Sequence, residues 1–138
     1  MLRTTGGSTN VTVDVRGVVT NNGTGNGLTA ITPAGVLDVS SLVAGSPQTV
    51  SVTGGSTGVP PGATGVLIGL SAGSPTATGS FEVFGSSLTP GPGTTMRVKR
   101  GESRGTVMLV PVGPDGKVTV KLGAGRARVQ LDVRGYLS

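Results

Sequence analysis

Six carboxylates are the side chains of this sequence that could carry acid–base chemistry, because the chain contains no His and no Cys. They are Asp14, Asp38, Glu82, Glu102, Asp115 and Asp132. Without imidazole or thiol groups, the commonest nucleophile–base pairs and zinc ligand sets are excluded. Asp38 and Glu82 could form a glycosidase pair, and Asp38 or Asp115 could bind calcium, but nothing in the sequence brings acids together. We therefore expect no enzymatic activity, no metal and no cofactor.

The basic side chains fall into two groups, and the chain carries a net charge of +5. The residues predicted to form a basic binding face are Arg97, Lys99, Arg100, Arg104, Lys121, Arg126 and Arg128. Such a face suits an acidic partner, which could be a protein surface, an anionic glycan or phosphate. The alternative is that these charges only keep the protein soluble. Nucleic acid is not expected, since one Tyr, two Phe and no Trp leave little to stack on bases.

These side chains must be positioned by β-strands. Apolar and polar residues alternate over short segments, and most of the 26 glycines fall between those segments. Strands are predicted at residues 28–42, which also hold a Thr-Pro turn near residue 32, and at residues 48–53, 64–72, 78–84, 94–100, 107–112, 117–122 and 126–137. Residues 113–116 (GPDG) predict a tight turn, and the last two strands are predicted to pair as a C-terminal hairpin. With a hairpin within residues 1–20, the pattern predicts an all-β antiparallel sandwich or jelly roll of about nine or ten strands, without substantial helix. No segment is long and apolar enough to span a bilayer, so a membrane partner is not expected.

One predicted strand occurs twice in the sequence. Residues 11–20 (VTVDVRGVVT) return as residues 129–138 (VQLDVRGYLS), and the same register places residues 1–20 over residues 119–138. The chain therefore divides into a hairpin at residues 1–20, a flexible linker at residues 21–27 and a sandwich at residues 28–138. The duplicated acids, Asp14 and Asp132, are expected to accept hydrogen bonds within a strand.

The first copy is surplus to a complete sandwich, and we expect it to act as an assembly strand. The residues of this predicted strand are Val11, Val13, Asp14, Val15 and Arg16. An added strand gains main-chain hydrogen bonds at an exposed sheet edge, which favours pairing with a neighbouring copy. Two alternatives stay open: the hairpin packs on its own sandwich, or it is the end of a preceding repeat.

Several segments in order carry a resemblance to a family. They are residues 31–38 (ITPAGVLD), 44–54 (AGSPQTVSVTG), 58–66 (GVPPGATGV), 74–81 (SPTATGSF), 110–118 (VPVGPDGKV) and 129–137 (VQLDVRGYL). This series resembles the β-rich modules of about 110 residues that are repeated in tandem in exported actinobacterial proteins. The resemblance implies a non-catalytic surface or accessory sandwich. Two departures are residues 37–40 (LDVS), where the family has Leu-Asp-Thr-Arg, and residues 94–104, which are basic here.

Two functions are expected from these observations. The first is a structural protein of a larger assembly, such as a capsid decoration or tail protein on the virion of an actinobacterial phage, with other copies of itself and the capsid as partners. Met1, the lack of a secretion signal at the start and the charged face favour this function. The alternative is a module of an exported cell-surface protein that binds a glycan or cell-wall polymer. The protein would then be secreted or lie at the cell surface.

Overall fold

The computed structural model describes Gly7, residues 27–89 and residues 94–138, and nearly all of these residues lie in two antiparallel sheets or their loops. The strands are β1 (Leu28–Val43), β2 (Gln48–Ser51), β3 (Gly65–Gly73), β4 (Gly79–Gly85), β5 (Thr95–Val98), β6 (Arg104–Pro111), β7 (Lys117–Leu122) and β8 (Arg126–Leu137). One turn of 3-10 helix, Gly55–Thr57, is the only helix within those ranges. The all-β prediction is confirmed. The described part of the chain contains no helix long and apolar enough to cross a membrane.

The strand order is that of a jelly roll. The first sheet has the order β1–β8–β3–β6, and the second sheet has the order β2–β7–β4–β5. Thus β1 pairs with β8, β2 with β7, β3 with β6 and β4 with β5, all antiparallel. This nesting arises when one long hairpin of four strand pairs is rolled into a two-sheet sandwich.

The core lies between the sheets and is filled mainly by Val, Leu and Ile. Alternate residues of each strand point inward, as the period of two requires. Phe81 is the largest side chain that is fully buried, and Val129, Leu131 and Val133 of β8 are at most 1% exposed. The buried Thr119 satisfies its hydroxyl through Thr49, with 2.8 Å between the two oxygens.

Eight predicted strands lie in the described ranges, and each corresponds to one observed strand. The predicted hairpin of residues 1–20, which brought the expected number to nine or ten, lies outside the described residues. The Thr-Pro turn predicted near residue 32 is wrong, because β1 continues through it with a register shift between Ala30 and Ala34. Pro33 is tolerated there because β1 is an edge strand and the lost N–H falls at an irregularity. The turn at residues 113–116 is confirmed, since the Gly116 N–H donates to the Gly113 carbonyl at 3.0 Å.

The predicted C-terminal hairpin of β7 and β8 is wrong as a pairing, although both strands have the predicted bounds. β7 lies between β2 and β4 in the second sheet, whereas β8 lies between β1 and β3 in the first sheet. The turn at residues 123–125 therefore connects the two sheets, and we call residues 117–137 the C-terminal arch. Leu122 and Ala127, on either side of this turn, are both buried in the shared core. An arch buries both side chains at once, which explains why it forms here.

Candidate functional site

Four loops meet at one end of the sandwich. They are residues 44–47, 74–78, 99–103 and 123–125. Backbone hydrogen bonds join them in pairs: the Gly101 N–H donates to the Pro75 carbonyl at 2.8 Å, and the Ala44 N–H donates to the Gly125 carbonyl at 2.8 Å. Lys99, Arg100, Arg104 and Arg126 lie at this end, in the loop 99–103 or at the strand starts beside it. We call it the basic end.

The uncharged loop 74–78 positions two of these cations. Thr76 and Arg126 exchange hydrogen bonds: the Thr76 N–H donates to the Arg126 carbonyl at 2.9 Å, and the Arg126 N–H donates to Thr76 Oγ1 at 3.0 Å. On the other side of the loop, the Arg100 N–H donates to Thr78 Oγ1 at 3.3 Å. Arg100 and Arg126, which are distant in sequence, therefore flank the same short loop.

Arg104 connects the two sheets beside this end. It begins β6 in the first sheet, and its Nη1 donates to the carbonyl of Arg97 on β5 in the second sheet at 3.1 Å. Arg97 lies opposite Ser80 on the outer face of the second sheet, because its neighbours Met96 and Val98 are buried. Five of the seven predicted binding residues thus lie at or next to the basic end.

These cations have little acidic compensation. Among the described residues, no carboxylate forms a salt bridge with Arg97, Lys99, Arg100, Arg104 or Arg126. Glu102 is the one acid in the four loops. An uncompensated group of exposed cations produces a local positive potential that attracts anionic partners.

The other two predicted residues lie on the outer faces of the sheets and are paired. Lys121 contacts Glu82 on the second sheet at 3.7 Å, and Arg128 Nη2 contacts Asp38 on the first sheet at 3.0 Å. Their charge is partly neutralised locally. The structure therefore divides the predicted basic face into an unpaired group at one end and two separate ion pairs.

The carboxylates do not form the glycosidase pair considered above. Asp38 lies on the outer face of the first sheet and Glu82 on that of the second, so the whole sandwich separates them. A shallow depression of about 510 Å³ on the first sheet is instead lined by Asp38 and Asp132, with Gln130 between them on β8. Hydrogen bonding from the Arg128 guanidinium, aided by Gln130, holds the pKa of Asp38 below its ordinary value. The general acid of a glycosidase pair needs the opposite shift, so Asp38 is unsuited to that role.

Asp132 is held in a second ion pair within β8. Arg134 Nε contacts Asp132 Oδ2 at 2.5 Å, and the pair lies over Gly69 of the neighbouring strand. No group of three or more possible metal-binding His, Cys, Asp or Glu residues occurs in the described ranges. The predicted assembly strand, Val11 to Arg16, lies outside the described residues.

Comparison with known proteins finds neither a family model nor a curated protein that matches the chain. The candidate site therefore stands on geometry and charge alone.

Proposed function

We propose that this chain is a non-enzymatic structural protein that attaches to an acidic surface of a larger assembly through its basic end. The observation that carries the proposal is a group of exposed cations, without a salt bridge to any described carboxylate, that the loop 74–78 and its neighbours hold at one end of the sandwich. The assembly we propose is a virion, such as that of an actinobacterial phage, with the capsid as the acidic surface.

The way these cations are held supports a binding role. The main chain at Arg100 and Arg126 is fixed by hydrogen bonds to Thr78 and Thr76, so little backbone order is lost when a partner binds. Both side chains are exposed and form no salt bridge with any described residue, so no such ion pair must break first. Complementary charge of this kind speeds association and selects against basic partners.

The alternative is an exported module that binds an anionic glycan or cell-wall polymer by the same end. Exposed loops suit a flexible polymer as well as a protein surface. The described aromatic residues do not favour stacking on neutral sugars, because Phe81 is buried and Phe84 and Tyr136 are half-buried. A glycan partner would therefore have to be recognised by its charge.

Binding of two anionic probes tests the proposal. Poly-L-glutamate stands for an acidic protein surface, and heparin stands for an anionic glycan. The variant Lys99→Ser/Arg100→Ser should bind poly-L-glutamate roughly twofold to thirtyfold more weakly than the native chain, from about 0.2–1 kcal/mol for each of the two exposed contacts. The matched control Lys117→Ser/Lys121→Ser removes the same charge elsewhere and should bind almost normally.

Equal weakening in both variants would show that only net charge matters and would refute the basic end as a site. Binding to heparin alone would favour the glycan module over the capsid role. The virion assignment is tested separately, by mass spectrometry of purified phage particles that carry this gene. Absence of the chain from those particles would overturn it.

A further inference from the structure

The position of the C-terminal arch in the fold defines what residues 1–20, which repeat its sequence, would need in order to bind in the same place. The arch fills what we call the arch slot: the space between β1 and β3 in the first sheet and between β2 and β4 in the second. Residues 1–20 align with residues 119–138 without a gap, so each residue of the first copy can be compared with what the slot requires at that position.

Two positions in the slot require glycine. Gly125 has a φ of +69°, and a Cβ there would lie 2.7 Å from Thr76 Oγ1. A Cβ on Gly135 would lie 2.8 Å from the main-chain oxygen of Thr29. The first copy has glycine at both equivalent positions, Gly7 and Gly17. Gly7 has a φ of +67°, in the same left-handed region.

The inward and outward positions of β8 are also matched. The buried Val129, Leu131 and Val133 correspond to Val11, Val13 and Val15 in the first copy. The Asp132–Arg134 pair, which needs the bare backbone of Gly69 beneath it, corresponds to Asp14 and Arg16.

The differences between the copies fall partly on exposed positions. Arg126, Arg128 and Gln130 are exposed, and the first copy has Ser8, Asn10 and Thr12 there. Solvent surrounds all three side chains, although Arg128 and Gln130 also donate hydrogen bonds to Asp38 of β1, which the shorter Asn10 and Thr12 would not reproduce in the same way. The first copy therefore retains the two required glycines, apolar residues at the inward positions of 129–133 and the Asp–Arg pair.

The first copy fits less well at a few buried or half-buried positions. Leu122 is replaced by Thr4, Ala127 by Thr9, Leu131 by Val13, and the half-buried Tyr136 by Val18. Smaller or more polar side chains leave space or unpaired groups in the core. This explains why residues 119–138 hold the slot in the native chain.

The ends of the sandwich lie close enough for the first copy to enter the slot of its own chain. The Ser138 N–H donates to the Gly27 carbonyl at 3.3 Å, so β8 ends where β1 begins. A first copy seated in the slot would place Thr20 at the position of Ser138. The six residues 21–26 reach about 20 Å when extended, which is more than enough to return to Gly27.

We propose that residues 1–20 are a second occupant of the arch slot, which closes the same sandwich in cis when residues 119–138 leave it. The exchange replaces Arg126 at the basic end by the uncharged Ser8. It therefore weakens the basic end, and an anionic partner bound there favours the C-terminal occupant. This last consequence, and only this one, rests on the proposed function.

Paired aspartate substitutions in the full-length chain test which copy can fill the slot. Leu131→Asp places a charge in the core and excludes the C-terminal copy, whereas Val13→Asp excludes the first copy. We expect Val13→Asp to have the same melting temperature as the native chain. Leu131→Asp should keep a cooperative unfolding transition at a lower temperature, because residues 1–20 replace the arch. The double variant should show no cooperative transition.

Engineered cysteines identify the occupant, and the absence of native cysteine makes the assay clean. Ser71 lies directly opposite Gln130 on the outer face of the first sheet, so Ser71→Cys/Gln130→Cys should form a disulfide in the native chain. Thr12 is the equivalent of Gln130. In the Leu131→Asp background, Ser71→Cys/Thr12→Cys should form a disulfide within one chain.

Three results would overturn the proposal. They are loss of the transition in Leu131→Asp alone, no disulfide between positions 12 and 71 in that background, and a disulfide that forms only between chains. None of these readouts involves an anionic ligand, so their failure is distinct from failure of the proposed function.

Discussion

Gly135→Ala probes the contact that fixes β8 against β1. The new Cβ would lie 2.8 Å from the Thr29 carbonyl oxygen and 3.5 Å from the Ala30 Cα. The first distance is well below a normal carbon–oxygen contact of about 3.3 Å. Both atoms belong to the main chain of β1, so the clash is relieved only if the strand moves. We expect this substitution to be destabilising although it adds a single methyl group.

The expected loss is about 1–3 kcal/mol, the usual cost of overpacking a tight site. For a domain of this size, that loss lowers the melting temperature by roughly 4–13 °C. Thermal unfolding followed by circular dichroism measures it directly.

Two glycine substitutions serve as controls. A Cβ on Gly35, in the adjacent β1, would have no atom within 4 Å, so Gly35→Ala should leave the melting temperature nearly unchanged. Gly17→Ala makes the same chemical change in the first copy and should also have little effect while residues 119–138 hold the slot. An unchanged melting temperature for Gly135→Ala would refute the contact. An equal drop for Gly17→Ala would refute the assignment of the C-terminal copy as the native occupant.

Two further predictions concern the core and the carboxylates. Phe81→Ala should lower the free energy of unfolding by about 3–5 kcal/mol in urea titrations, because it empties the largest buried site. The half-buried Phe84→Ala should cost clearly less, and equal costs would contradict the inward assignment of Phe81. Arg128 donates hydrogen bonds to Asp38, and Ser86 donates one to Asp115, and these bonds lower the folded-state pKa of each carboxyl group. Both carboxylates therefore stabilise the fold above a pH of about 4. This contribution is lost as the pH falls through the lowered pKa values. Asp38→Asn/Asp115→Asn should therefore lose less stability than the native chain between about pH 5 and pH 2, and parallel losses would contradict these roles.

The sequence predicts most strands because their apolar alternation is interrupted by clear turn residues. β7 and β8 match their predicted bounds, since the turn 113–116 and the Gly-Ala-Gly of residues 123–125 delimit them. The strands that pair with β7 and β8 could not be predicted from the same pattern. A three-residue glycine turn can close a hairpin or cross between sheets, and the burial of Leu122 and Ala127 in one core decides between them.

The candidate site was only partly predictable for the same reason. The cluster at residues 97–104 is visible in the sequence, but its proximity to Arg126 depends on the loop 74–78, which carries no charge. The Leu-Asp-Val-Ser segment suggested an acid without its usual arginine. The structure supplies one from 90 residues away, since Arg128 on β8 lies beside Asp38 on β1. Such long-range pairs depend on strand register, which local patterns do not specify.

The salt dependence of poly-L-glutamate binding tests the central claim most directly. Dissociation constants are measured over a range of NaCl concentrations for the native chain, Lys99→Ser/Arg100→Ser and Lys117→Ser/Lys121→Ser. If the basic end is the docking site, the first variant shows a flatter salt dependence than the native chain, and the second keeps the native slope. Identical slopes for the two variants would contradict the claim and return these cations to a role in solubility.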